Sequence, residues 1–163
     1  MDRVQLLGCL EQAWEQFQEC FAGLSDSELT ISGVSGMWSV RDILAHISTW
    51  EQEALKNLPI ILKGEIPPRY SVSYGRIDAF NALRAQEKRS LPLLVVQREL
   101  YNVHHLLLTF LQTVPDQELQ TKTRFRRRLR LDTYHHYPKH AEAIRKWRAQ
   151  TLTQTGIKTV DEI

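Results

Sequence analysis

The chain has 163 residues, 42% of them hydrophobic and 25% charged, with a formal net charge of +2. That is enough for one domain, spanning residues 1–163, with a full hydrophobic core and no need of disulfide or metal staples. So small a net charge does not by itself imply nucleic acid, and no apolar run approaches the length of a membrane span. Neither partner is therefore expected.

Periodicity gives the elements in order. A helix over about residues 3–23 is marked by Leu6, Leu10, Ala13, Trp14, Phe17 and Phe21, with Leu24 just beyond it, at the three-four spacing of a buried helical face. Cys9 and Cys20 fall on this helix three turns apart, which fits neither a disulfide nor a zinc motif, and they read as small core residues. Leu6-Leu7-Gly8-Cys9 has the look of a lipoprotein cleavage box, but Asp2 and Gln5 leave no apolar region ahead of it. With no leader, the cytoplasm is the default compartment.

Residues 25–37 connect, with Gly33 and Gly36 as turn residues. A second helix runs from Val40 to about Leu62. Ser39 is placed to cap it and Asp42, three residues on, completes a capping box. Val40, Ile43, Leu44, Ile47, Trp50 and Ala54 form its stripe, and Pro59 is expected to bend or end it early. Residues 63–75, with two glycines and two prolines, read as a loop of the kind that rims sites. A helix over 76–89 follows. Ser90 is read as the cap of the next, whose stripe is Val96, Leu100, Val103, Leu107, Phe110 and Val114. Leu106, Leu108 and Leu111 lie off that stripe, so burial against a second copy, a homodimer, is expected.

Residues 121–131 hold Lys122, Arg124, Arg126, Arg127, Arg128 and Arg130 and read first as a solvated loop, with attraction of an anionic substrate or thiol as the main functional alternative. Nucleic acid, through arginines interleaved with Phe125, is the lesser one, because the segment is short and the rest of the chain is not basic. A last helix, capped at Asp132 or Thr133, reaches about Thr151 with His136, His140, Ile144 and Trp147 inward. The polar tail after Gly156 frays or packs outside. No segment alternates with period two. More than half helix, no sheet and an all-α antiparallel four-helix bundle with an extra helix follow.

The chemistry lies in the histidines. His46 sits at the edge of its stripe, which alone describes an ordinary packed histidine. His136 and His140, four apart, can share a face and converge on one point. Three imidazoles from two facing helices, with an open position, are the pattern of a catalytic metal site. Pro138 complicates the pair: either the helix kinks, or it starts at Pro138 with His136 just before it. His104 flanks its stripe and is the best substitute ligand; His105 and His135 point to solvent. Glu53 is nearer the azimuth of His46 than Glu51 and could orient it, although exposed carboxylates are the commoner case. Trp38, Trp50 and Trp147 read mainly as core, with a pocket over the metal as the alternative.

Two stretches, WSVRDILAHISTWE at Trp38–Glu51 and DTYHHYPKH at Asp132–His140, resemble the DinB/YfiT-like superfamily of four-helix proteins. The middle, IDAFN at Ile77–Asn81 and LPLLVVQREL at Leu91–Leu100, is more similar to its ClbS/DfsB-like branch. The resemblance implies metal ligation by His46, His136 and His140. It also implies a metal-dependent thiol transferase or hydrolase, with a divalent ion (nickel, zinc or iron) and, for transfer, a low-molecular-weight thiol. Some members of the branch lack the three histidines and open a strained ring by hydrolysis; this chain keeps all three. The expected partner is an electrophilic small molecule. The alternative is a non-catalytic bundle that binds a small apolar ligand, metal-free or metal-stabilised.

Overall fold

The computed structural model describes residues 2–120 and 122–157, with the backbone alone over 152–157. The tail after Gly156 lies, but for Ile157, outside the described residues. The chain is 74% helical and strand-free among those residues. Its helices are α1 (Arg3–Phe21), α2 (Asp26–Leu29), α3 (Val40–Leu62), α4 (Tyr70–Ser73), α5 (Ile77–Lys88), α6 (Leu93–Thr113), α7 (Arg124–Asp132) and α8 (Tyr137–Ile157). The four long ones, α1, α3, α6 and α8, form an antiparallel bundle in which α3 packs on α6 and α1 on α8. The short α5 and α7 both lean on α3, which is therefore the central element.

The start of α3 is fixed by its own residues. Ser39 Oγ accepts from Asp42 N at 3.2 Å, and Asp42 Oδ2 accepts from Ser39 N at 2.9 Å, a complete capping box. Just upstream, Gly36 adopts φ +58°, a left-handed turn that L side chains avoid. The turn brings Trp38 back to Ser35 and sets its indole over His46, 4.9 Å between ring centres. Val40, Ile43, Leu44, Ile47 and Ala54 are fully buried, as the stripe requires. Pro59 does not end α3. It lies in the last turn, where its missing N–H costs one backbone bond, and the helix runs on to Leu62.

Several other expectations change. Short helices, α2 and α4, occupy the two connections read as loops. The cap of α6 is Pro92, not Ser90. The basic segment is a helix, α7, not a solvated loop. Thr123 caps it, Phe125 and Leu129 enter the core from one face, and buried Arg126 donates to the Leu119 carbonyl at 2.8 Å. Cys20 is buried but Cys9 is exposed. The homodimer loses two of its three grounds: Leu111 is buried and Leu108 packs on the core, leaving Leu106 outside, 56% exposed.

Helix α8 starts at Tyr137, so His136 precedes it. The amides of His136 and Tyr137 both bond to the Thr133 carbonyl, at 2.6 and 3.0 Å. Pro138 then stands in the first helical turn, where no N–H is needed, and Tyr134 is not helical, so no carbonyl clashes with the ring.

Candidate metal centre

Helix α3 and the start of α8 bring three imidazoles to one point. His46 Nε2 lies 3.1 Å from His136 Nε2, and His140 Nε2 lies 3.0 Å from the same atom. The three ligand atoms all fall within 4.8 Å of one another. His104, the proposed substitute, is elsewhere in the core; His105 and His135 are exposed.

The contacts are ill suited to hydrogen bonding alone. An imidazole nitrogen carries one proton or one lone pair, so His136 Nε2 can make one good in-plane bond, and it faces two partners. Burial holds all three rings neutral, with pKa values lowered to about 2 for His46, about 3 for His136 and about 4 for His140. Neighbouring imidazoles add to the effect at His46 and His136, as does Lys88 at His46 and Lys139 at the other two. Neutral imidazoles with converging lone pairs are the form in which histidine ligates, and nearby nitrogens about 3 Å apart suit ligands that each stand about 2.1 Å from a shared ion. The donor set therefore fits a divalent metal. His136 Nδ1 is buried without a hydrogen bond.

Above the cluster opens a cavity of about 450 Å³. Its walls include Trp50, Tyr70, Asn81, Arg128, Asp132 and Lys139. Trp50 is held by Nε1 donating to Asn81 Oδ1 at 3.1 Å. Arg128 reaches Asp132 and donates to the Tyr70 hydroxyl at 2.7 Å; that hydroxyl in turn donates to Glu53 Oε2 at 2.7 Å. Burial pushes Asp132 up to about 6 against the pull of Arg128. Glu53 is thus a buried support for Tyr70 and not an exposed carboxylate, and it does not touch His46. Sequence reading missed Tyr70, Arg128 and Asp132. The one available signal was the four-residue spacing of Arg128 and Asp132, which means an ion pair only if the segment is helical.

A second polar cluster lies deeper. Glu51, 0% exposed, accepts from the Tyr137 hydroxyl and contacts His104 Nδ1 at 2.9 Å. Trp14 stacks on His104, 3.7 Å between centres. This cluster ties α1, α3, α6 and α8 together beneath the histidines.

A family model for the DinB superfamily matches residues 10–143. The chain belongs to the DinB superfamily. No curated protein matches. Solved structures share the fold, three of them as follows. One is an uncharacterised protein from Escherichia coli UTI89, 15% identical, TM-score 0.75, covering 92% of this chain and 94% of that one. Another is Sibling Lethal Factor Precursor - DfsB, 14% identical, TM-score 0.76, covering 93% and 97%. The third is the colibactin self-resistance protein ClbS in complex with a dsDNA, 14% identical, TM-score 0.75, covering 89% and 94%. At such identities the likeness is one of fold. It nevertheless overturns the exclusion of nucleic acid, because a protein of this fold is seen holding dsDNA. Net charge was the wrong measure: it averages a whole surface, whereas phosphates meet a local patch.

Proposed function

We propose that this DinB-superfamily chain is a metal-dependent enzyme that acts on an electrophilic small molecule, by hydrolysis or thiol transfer. What supports the reading is the convergence of three neutral imidazoles, two of which, His46 and His136, line a cavity of ligand size. His46, His136 and His140 would hold the ion; nickel, zinc and iron all suit three imidazoles. When bound, such an ion supplies Lewis-acid activation of a water or a thiol. The chain's own residues do the rest. Trp38 and Trp50 flank His46 with apolar surface and limit water around it. Asp132, held near pKa 6, can accept a proton at neutral pH, and Arg128 fixes its carboxylate.

The test is titration of metal-free protein with zinc and nickel, followed by calorimetry, for the wild type and for His46→Ala, His136→Ala and His140→Ala. Each replacement is expected to weaken binding at least about a hundredfold, while His105→Ala and His135→Ala leave it unchanged. Unchanged affinity in His46→Ala would reduce the site to the His136–His140 pair and end the reading.

A second reading has one observation in its favour. The ClbS complex with dsDNA, together with the arginines of α7, supports a duplex-binding role for this chain. A labelled duplex titrated over a range of salt tests it, since phosphate contacts give a steep salt dependence.

A further inference from the structure

A second cavity of about 450 Å³ adjoins the one over the histidines. Tyr70, Ile77, Arg128 and Leu131 belong to the walls of both, so the two chambers lie side by side. The second chamber is lined by Arg69, Arg124, Arg127 and Arg128, and no acidic side chain lines it. Among the described residues, Arg128 is the one of these guanidiniums that pairs with a carboxylate, Asp132. Arg124 spends one donor on the Glu65 carbonyl at 2.8 Å. Arg69 and Arg127 have no carboxylate partner among the described residues.

Four guanidiniums around one concavity, offset by a single carboxylate, make a focused positive field in a protein whose net charge is only +2. Their planar forks match a carboxylate or phosphate in geometry as well as charge. The rest of the chamber wall is carbon: Ile61, Pro67, Pro68, Ile77 and Leu131. A mixed wall of this kind suits an anionic head on an apolar body better than it suits a naked sugar-phosphate chain.

We propose that the arginine chamber is an anion subsite, and that the substrate carries a carboxylate or phosphate there while its apolar body extends along Tyr70 and Leu131 to the histidines. The assignment of the reacting end rests on the enzymatic reading above; the anion subsite itself does not.

The experiment uses metal-free protein, so that it is independent of zinc. Inorganic phosphate, phenyl phosphate and 4-butylphenyl phosphate are titrated by calorimetry, and the imidazole resonances of His46 and His136 are followed by NMR. Phenyl phosphate is expected to bind more tightly than inorganic phosphate, and its affinity to fall at least about tenfold in Arg69→Ala and in Arg127→Ala. Arg127→Lys keeps the charge but loses the fork and is expected to fall between. The butyl compound is expected to shift the imidazole signals, inorganic phosphate to leave them in place. His136→Ala is expected to retain phenyl phosphate binding; a failed zinc titration beside a successful phosphate titration would therefore remove the metal and spare the subsite. Affinities unchanged by the arginine replacements, or imidazoles undisturbed by the extended probe, would overturn the proposal. A duplex that excludes phenyl phosphate and is itself lost in the same variants would overturn it too, by giving these arginines to DNA.

Discussion

His104 and His136 show how differently a buried histidine can be used. His136 meets two other imidazoles at about the same distance, near 3 Å, and has no acidic partner. His104 meets one carboxylate, Glu51, and one indole face, Trp14. The first is a donor set suited to a cation; the second is a carboxylate–imidazole contact inside the core, in which Glu51 Oε2 and His104 Nε2 are buried without a hydrogen bond. His104→Ala is accordingly expected to leave zinc affinity unchanged but to destabilise the fold by about 2–3 kcal/mol, because it strips a fully buried carboxylate of one partner and empties the space under Trp14. Urea unfolding beside a zinc titration checks both halves, and a loss of zinc affinity would place His104 in the metal site after all. From the sequence, His104 ranked as the reserve ligand because it flanks a stripe on a long helix. Nothing in one dimension tells that its ring turns toward Glu51, a residue itself passed over as solvent-exposed.

At the scale of elements, legibility followed the density of local signals. The start of helix α3 was placed because a capping box opens it and a stripe follows as far as Ala54; its end was less legible, since Pro59 read as a bend or stop and the helix runs on to Leu62. Helix α7 was missed. Its apolar face is only Phe125 and Leu129 among five arginines, and that face becomes visible once the core beneath it is known. The cavity walls were missed for a related reason: Tyr70, Asn81 and Arg128 come from three separate helices, and no pattern within any one of them marks the meeting. The capping box gives a clean test. Ser39→Ala removes the acceptor for the Asp42 amide at a nearly buried position and is expected to cost about 1 kcal/mol. For a chain of this length that lowers Tm by about 2–4 °C, read by circular dichroism at 222 nm. An unchanged melting temperature would mean that packing alone sets where α3 begins.

For the molecule as a whole, the three histidines couple stability to pH and to metal with opposite signs. Their folded pKa values lie below the ordinary imidazole value of 6.5, so the unfolded chain takes up protons that the folded chain refuses. Their neutral form is fully compatible with folding above pH 6.5, and stability is lost as pH falls from there through about 4 for His140, about 3 for His136 and about 2 for His46. Asp132 works the other way, since at about 6 it binds a proton in the folded state before an unfolded aspartate would. One such group against three imidazoles leaves the net direction unchanged. Metal-free protein is therefore expected to melt at progressively lower temperature between pH 7 and pH 5. A divalent ion that binds only the folded chain adds RT ln(1 + [L]/Kd), about 2.7 kcal/mol at a hundredfold excess over Kd, or roughly 5–10 °C in Tm for a chain of this size. The gain has a structural basis, because the ion would join α3 to the start of α8 across 90 residues of sequence. It should shrink on acidification, since protons compete for the same nitrogens. Thermal melts with and without zinc at pH 7 and pH 5 read all of this at once. A zinc shift that is equal at both pH values, or that survives in His136→Ala, would place the bound ion elsewhere on the protein.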